Sequence, residues 1–308
     1  MNDTEPIRKI LIMGLDQAGK TSILNIINQN YNLMDDLKPT IGIERHEIKI
    51  LGIPIISWDL GGQERFREEY LKNTKVFEKT DTLIFVIDAF KATRYEEALE
   101  YYTKVLSMFE KVEIKPKIVL VLHKIDPNLL NEPETLEVIE EIKELFLAKS
   151  QEYTPSIFLT SIFDRKSIIE AFSKNLQELI SDLKPFKKIL ESIVLMMQLD
   201  ASIVFDENLM VLSDFYKNKD IEEFCLSTIY NSVYYILHTN PKLAEDFTAN
   251  FELVLDVKNR QKVFSFMDFK FRGWNLYLLT MGDKKVDHQT AISRFNSMSH
   301  LFEKKEDA

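Results

Sequence analysis

Residues 8–22 have the sequence RKILIMGLDQAGKTS, and this stretch decides the fold of the first half of the chain. The apolar run 8–13 predicts a short buried strand that ends at Gly14. Residues 14–21 fit the pattern G-x-x-x-x-G-K-[ST], and residues 22–27 continue with apolar positions at helical spacing. In a strand–loop–helix unit of this kind, the loop amides and the helix N-terminus direct donors at phosphate groups. The stretch therefore predicts a phosphate-binding loop.

Within this loop the two residues with the most specific expected roles are Lys20 and Thr21. Lys20 is expected to reach the β- and γ-phosphates of a nucleotide, and the Thr21 hydroxyl is expected to bind Mg²⁺. The remaining predicted phosphate-binding residues are Gly14, Asp16, Gln17, Ala18, Gly19 and Ser22. Taken alone, the loop does not select the nucleotide.

Strand and helix patterns alternate through the rest of the first half. Apolar runs predict strands at 53–58, 83–87, 118–122 and 156–159, with a looser edge strand at 44–50; helical spacing predicts helices at 95–109, 134–146 and 167–183. This alternation implies an α/β domain with a mostly parallel six-stranded sheet and helices on both faces. Ligands of such folds bind at the carboxyl ends of the strands.

Two segments beyond the loop fit a metal ion and a γ-phosphate. The segment DLGGQE begins at Asp59 after a predicted strand. Asp59 would hold Mg²⁺ through water, the Gly62 amide would contact the γ-phosphate, and Gln63 would orient the attacking water. Thr40 lies in the segment PTIG and would complete the metal ligands only when a γ-phosphate is present.

A third set of residues fits the base of the nucleotide. The segment HKID contains His123, Lys124 and Asp126 and ends the predicted strand 118–122. Asp126 can accept hydrogen bonds from guanine N1–H and N2–H₂, a donor pair that adenine does not offer. Ser161 and Ile162 end the last predicted strand, where their backbone would support the base. His123 either contacts the loop or the nucleotide, or simply ends its strand.

The order of these segments and their positions at strand ends predict a GTPase. Gln63 and Lys20 are the expected catalytic residues, with Mg²⁺ neutralising charge on the transferring phosphoryl group. Turnover without a partner should be slow, because no arginine is evidently placed as a finger and Asp16 would crowd one from a partner. Arg65 and Arg67 are expected to be exposed. A scaffold that holds GTP or GDP with negligible turnover, and a P-loop kinase or ATPase, are the alternatives.

The second half predicts a different, α+β domain. The elements are a helix at 186–199, strands at 202–205 and 209–212, a helix at 221–237, strands at 251–257, 263–269 and 276–281, and a helix from about residue 288. This order indicates an antiparallel sheet with helices packed on it. Because Pro185 disfavours continuation of a helix, we expect domains at 1–183 and 184–308.

Composition excludes several classes of protein. The 308 residues carry a formal net charge of −10, which argues against nucleic acid as the main partner. A single cysteine, Cys225, rules out a disulfide framework and a four-cysteine zinc site, and a core position is expected for it. No run approaches the ~18 apolar residues of a spanning helix, and neither a signal peptide nor a lipidation motif is evident. We therefore expect a cytoplasmic chain that reaches a membrane only through a partner.

The motifs resemble those of two families of small GTPases. GLDQAGKT (14–21) and WDLGGQE (58–64) resemble Arf-like GTPases, whereas HKID and TSI (160–162) resemble the Rag/Gtr GTPases, which also continue into a second domain. The Rag/Gtr resemblance implies a Ras-like GTP-binding domain followed by a roadblock/longin-like domain. It also implies a GTP/GDP switch that forms a homo- or heterodimer with a similar protein, is controlled by activating and exchange factors, and takes part in nutrient signalling at a membrane. A monomeric Arf-like GTPase with an unrelated C-terminal module is a further alternative.

Overall fold

The computed structural model describes residues 8–27, 41–50, 53–150, 152–180, 183–206, 209–239, 251–257 and 260–302. The chain forms two compact units, and the division between them falls after Ala171. The predicted domain boundary at residues 183 and 184 stays a prediction.

The first unit is built on a six-stranded sheet with the strand order β2-β3-β1-β4-β5-β6. Edge strand β2 pairs antiparallel with β3, and the other four pairings are parallel. The predicted mostly parallel α/β architecture is thus confirmed. Its strands are β1 (Arg8–Gly14), β2 (Ile43–Ile50), β3 (Ile53–Leu60), β4 (Thr82–Asp88), β5 (Lys117–His123) and β6 (Ser156–Thr160).

Helices connect these strands, as the apolar spacing predicts. They are α1 (Lys20–Ile27), α2 (Glu64–Lys72), α3 (Tyr95–Lys111), α4 (Pro133–Lys149) and α5 (Arg165–Leu179). Helix α2 was not predicted, because six of its nine residues are charged and only three are apolar or aromatic. The division between the two units falls inside α5.

Burial of both faces of the central strands accounts for the stability of this sheet. Every residue of β1 and β5 except the first is buried, as are the first six residues of β4. On one face, the rings of Phe85, Tyr102 and Phe146 pack together, with the Tyr102 ring centroid 5.1 and 5.3 Å from the other two. The hydroxyls of Tyr102 and Ser150 form a hydrogen bond of 2.9 Å, so the polar end of this buried tyrosine has a partner.

The parallel register places polar strand ends side by side. Asp88 at the end of β4 pairs with His123 at the end of β5, which pairs with Thr160 at the end of β6. Gly14 ends β1 at the same edge of the sheet. This edge therefore collects the residues on which the sequence motifs depend.

The second unit contains a five-stranded antiparallel sheet with the order β8-β7-β11-β10-β9. The predicted succession of a helix, two strands, a helix, three strands and a helix is confirmed, although the strand predicted at 209–212 lies at Val211–Tyr216. The elements are α6 (Lys184–Met197), β7 (Ala201–Phe205), β8 (Val211–Tyr216), α7 (Lys219–Thr239), β9 (Phe251–Val257), β10 (Arg260–Phe271), β11 (Trp274–Gly282) and α8 (His288–Ser297).

Aromatic side chains fill the core of the second unit. The ring of Phe186 on α6 is fully buried and lies 4.7–6.4 Å, between centroids, from four other rings, those of Phe271, Trp274, Phe295 and Phe302. Cys225 is also buried, as expected, and burial raises the pKa of its thiol to about 12. Within the described ranges, the helices are all too short or too polar to span a bilayer.

Replacing Phe186 by alanine should destabilise this unit strongly, because the neighbouring rings cannot close the cavity that remains. We expect the free energy of unfolding to fall by about 3–5 kcal/mol. Urea unfolding followed by Trp274 fluorescence in a Trp58→Phe background measures this change. Lys188→Ala, at an exposed position of the same helix, should change it by no more than about 0.5 kcal/mol. Equal losses in the two variants would contradict the assigned core.

Candidate functional site

An open cavity of about 620 Å³ lies at the carboxyl edge of the parallel sheet. Its volume falls within the range of ~300–1,000 Å³ that is typical of small-ligand sites. All but one of the residues that line it were predicted from the sequence; the exception is Phe163. The lining residues are Asp16, Gln17, Gly19, Lys20, Thr21, Ser22, Gly62, Gln63, His123, Lys124, Asp126, Ile162 and Phe163. Of the other expected residues, Gly14, Ala18, Asp59 and Ser161 belong to the same segments, and Thr40 lies outside the described residues.

The phosphate loop owes its shape to two glycines with positive φ. Gly14 has φ 144° and Gly19 has φ 102°, a region that L side chains rarely adopt. A Cβ atom on Gly14 would lie 2.3 Å from the Val86 carbonyl oxygen, and one on Gly19 would lie 2.3 Å from His123 Cδ2. The loop can therefore lie against β4 and His123 only with glycine at both positions, and α1 begins directly after it at Lys20.

Lys20 is buried beneath the loop that it follows. Its ammonium donates hydrogen bonds to the carbonyl oxygens of Leu15 at 2.9 Å and Gly14 at 3.2 Å. Desolvation lowers the pKa of Lys20 to about 8, against the opposing charges of Asp59 and Asp16. A bound anion would favour the charged form of this ammonium, so the site is electrostatically suited to phosphate.

The two predicted metal ligands of the described part of the chain lie together. Thr21 Oγ1 donates a hydrogen bond of 2.8 Å to Asp59 Oδ2. A hydroxyl and a carboxylate are hard oxygen ligands of the type that Mg²⁺ prefers. The residues present therefore fit a magnesium ion beside the phosphate loop.

The segment that contains Gly62 and Gln63 packs directly on the phosphate loop. The Asp16 amide donates a hydrogen bond of 3.1 Å to the Gly62 carbonyl, and a Cβ on Gly62 would lie 2.2 Å from that amide nitrogen. Gln63 occupies the N-cap of α2 with extended backbone angles, and its side chain makes no capping hydrogen bond. The cavity wall thus includes a glutamine amide beside the loop.

The base-side residues form a second hydrogen-bonded group. Lys124 Nζ donates to the Gln17 carbonyl at 2.8 Å and to Asp88 Oδ2 at 2.7 Å, which ties the HKID segment to the phosphate loop. Asp126 Oδ1 accepts a hydrogen bond of 2.5 Å from Ser161 Oγ. Ser161 Oγ in turn accepts one from the Phe163 amide at 3.0 Å, so the TSI segment orients the Asp126 carboxylate.

His123 both ends β5 and contacts the phosphate loop. Its Nδ1 lies 2.8 Å from Thr160 Oγ1, and its imidazole edge packs against Gly19. Burial, with the nearby charge of Lys124, lowers the pKa of His123 to about 4. The imidazole is therefore neutral near pH 7 and packs under the loop without adding charge.

Several residues at the site were not predicted from the sequence. Phe163 is about three-quarters exposed and borders the base end of the cavity, and its place directly after the TSI segment was the signal available. Asp88 could have been found as the polar end of a buried strand. Arg94 contacts Asp16 from the start of α3, and Arg67, expected to be exposed, is buried against Glu97. The contacts of Arg94 and Arg67 join distant parts of the sequence, and no spacing pattern in the sequence predicts them.

Most of this chain matches a known family of G proteins. The family model described as "Gtr1/RagA G protein conserved region" matches residues 9–256. Ras-related GTP-binding protein A of Dictyostelium discoideum is 26% identical over 306 residues, covering 96% of this chain and 97% of that protein. GTP-binding protein GTR1 of Saccharomyces cerevisiae is 34% identical over 200 residues, covering 60% of this chain and 64% of that protein.

An Arf-like relative is similar over a shorter stretch. ADP-ribosylation factor-like protein alp41 of Schizosaccharomyces pombe is 30% identical over 180 residues, which cover 58% of this chain and 88% of that protein. The relatives thus include both Rag/Gtr and Arf-like proteins, the two families that the motifs in the sequence resemble. Since the family model spans most of the chain and the phosphate loop, the Asp59 segment and Asp126 meet at one cavity, the chain belongs to the Gtr1/RagA family of GTP-binding, GTP-hydrolysing proteins.

Proposed function

We propose that this protein is a GTP/GDP-dependent switch that hydrolyses GTP slowly with Mg²⁺ and dimerises through its second unit. The observation that carries the proposal is the convergence at one cavity of a phosphate loop, the Thr21–Asp59 pair, Gln63 and the Asp126 carboxylate. In a bound guanine nucleotide each of these groups would contact a different part. The Asp126 carboxylate complements the donors of guanine and not adenine, which favours a GTPase over an ATPase.

In this proposal the loop and α1 hold the phosphates. The loop amides and the Lys20 ammonium bind the β- and γ-phosphates, while Asp16, Gln17, Gly19 and Ser22 form the adjoining cavity wall. Thr21 would hold Mg²⁺ directly and Asp59 through water, with Thr40 as a further ligand beside a γ-phosphate. The ion supplies positive charge to the phosphate oxygens.

Hydrolysis forms a bond between the water oxygen and the γ-phosphorus as the bond from that phosphorus to the β–γ bridging oxygen breaks. GDP leaves, and the water proton passes to the phosphate. Gln63 orients the water, and Lys20 stabilises charge on the phosphate oxygens. Arg94 is already paired with Asp16 and Glu97, and this pairing supports slow turnover without an activating partner.

Guanine selection is proposed for the base end of the cavity. Asp126 accepts hydrogen bonds from guanine N1–H and N2–H₂, while the hydrogen bond from Ser161 Oγ to Oδ1 keeps the carboxylate in place. Lys124 and Phe163 border the same space, and the aromatic ring offers a face on which the base stacks. Ile162 completes the apolar wall, and His123 supports the loop from below.

Asp126→Asn tests the base assignment. The amide replaces one acceptor by a donor, which mismatches guanine and matches the C2 carbonyl of xanthine. We expect the affinity for GTP to fall about 100-fold and the preference to shift to xanthosine triphosphate, measured by competition with a fluorescent nucleotide. Glu134→Gln, the same charge change at an exposed position of α4, should leave both affinities unchanged. An unaltered GTP preference in Asp126→Asn would refute the assignment.

Gln63→Leu separates hydrolysis from binding. Loss of the amide should lower the single-turnover hydrolysis rate at least about tenfold, because the attacking water is no longer oriented, while the Kd for GTP changes less than about twofold. Gln261→Leu, at an exposed position of β10, is the matched control. Equal rates in both variants would remove Gln63 from the mechanism. A wild-type chain that hydrolyses nothing, with or without a partner, would favour the nucleotide-holding scaffold.

The second unit is proposed to be a roadblock/longin-like dimerisation domain. Its succession of elements is the one that the Rag/Gtr resemblance implies, with a five-stranded antiparallel sheet. Large apolar side chains, Leu195 and Met196, are 67% and 59% exposed on α6 and support an interface on this unit. A similar domain of the same or another chain is the proposed partner. Activating and exchange factors, a cytoplasmic location and membrane association through a partner belong to the same proposal.

The solution mass tests dimerisation. Light scattering after size exclusion, with GDP and with a GTP analogue, should give twice the chain mass. Leu195→Glu combined with Met196→Glu should yield a monomer, because charges would be buried at the interface. Leu147→Glu, at an exposed position of α4, should remain dimeric. A monomeric wild-type chain would contradict self-pairing and leave a heterodimer or the monomeric Arf-like alternative.

A further inference from the structure

A single carboxylate on α3 joins two arginines that come from different parts of the first unit. Glu97 Oε2 accepts a hydrogen bond of 2.8 Å from Arg94 Nε, and Glu97 Oε1 accepts one of 3.1 Å from Arg94 Nη2. Glu97 Oε1 also accepts a hydrogen bond from Arg67 Nη2 on α2. Both carboxylate oxygens of Glu97 are thus used.

Arg94 extends this bridge to the phosphate loop. Its Nη2 lies 2.8 Å from Asp16 Oδ1, and its Nη1 donates to the Asp16 carbonyl at 3.2 Å. Although partial burial opposes the change, Arg94 holds the pKa of Asp16 below its usual value. The loop, α3 and α2 are therefore connected by alternating charges: Asp16, Arg94, Glu97 and Arg67.

The far end of the bridge lies in the first turn of the helix that follows Gln63. The Arg67 amide donates to the Gln63 carbonyl at 3.1 Å, and the Arg67 side chain is buried with its guanidinium 5.2 Å from the Tyr101 ring centroid. A displacement of the Arg67 side chain would move this helical turn, and the backbone of Gln63 with it.

The electrostatics of the bridge require the Glu97 charge. Hydrogen bonds from Arg94 and, more weakly, Arg67 lower the pKa of Glu97, against the effect of partial burial. Without that charge two guanidinium groups would face each other with no anion between them. The Glu97 side chain is 40% exposed, whereas that of Arg67 is only 10% exposed, so losing the Glu97 charge would leave a largely buried guanidinium without this anion. The expected consequence is that Arg67 shifts toward water.

We propose that Glu97 is a positioning residue for GTP hydrolysis: by bridging Arg94 and Arg67 it holds the backbone of Gln63 in place against the phosphate loop. The inference rests on the proposed role of Gln63 in hydrolysis. Because Glu97 would not contact the nucleotide, its loss should lower the rate of GTP hydrolysis and leave the affinity for GTP unchanged.

Glu97→Gln in the full-length chain tests the proposal. We expect the single-turnover rate of GTP hydrolysis to fall about tenfold, since small displacements of a catalytic group are costly, while the Kd for GTP stays within about twofold. Glu97→Asp retains the charge and should recover part of the rate. Glu100→Gln is the matched control, because Glu100 pairs with Lys104 on the exposed face of the same helix and should leave the rate unchanged.

A double-mutant cycle separates positioning from a general structural role. If Glu97 acts through Gln63, adding Glu97→Gln to Gln63→Leu should lower the rate no further. Fully additive losses, a rate equal to that of the wild type, or a loss of GTP affinity as large as the loss of rate would each overturn the inference. Absence of hydrolysis in the wild type would instead overturn the proposed function, and the inference with it.

Discussion

Parallel pairing of β1 with β3 and β4, and of β5 with β4 and β6, brings five carboxyl ends to one edge of the sheet, and every residue of the site depends on this arrangement. Hydrogen bonds between neighbouring strands fix the register, so Asp88, His123 and Thr160 stand side by side although they are far apart in the chain. The side chains that follow the carboxyl ends of the strands therefore line the same cavity. Because the strands are buried on both faces, the edge that carries the site is held by the hydrophobic core.

Close packing at this edge leaves room only for glycine at three positions. Gly14 lies against β4, Gly19 against His123, and Gly62 against the backbone of Leu15 and Asp16. The last of these contacts joins the Gln63 segment to the phosphate loop through backbone atoms. The phosphate loop, the base segment and the segment before α2 are therefore mechanically connected, and the charged side chains reinforce the connection between the loop and α2.

Much of the architecture follows from local pattern. Apolar runs and helical spacing located the sheet strands, most helices and the element order of the second unit, because those elements bury one or both faces. Helix α2 was missed because only three of its nine residues are apolar or aromatic, too few for a recognisable pattern. The expectation that Cys225 lies in the core was correct. The expectation that Arg67 is exposed was wrong, because its guanidinium pairs with the Glu97 carboxylate on another helix. The roles of the site residues stay predictions, although the structure brings those that it describes together.

The amino-acid sequence by itself determined the phosphate loop, the Asp59 segment and the HKID and TSI segments, because each is a short run whose chemistry depends on residue type and spacing. It also determined that these runs stand at strand ends. Only the tertiary structure decided which side chains meet: Thr21 with Asp59, Ser161 with Asp126, His123 with Thr160, and the bridge through Glu97. Such contacts join residues from different strands and helices, and their geometry is set by sheet register and helix packing, which no local pattern specifies.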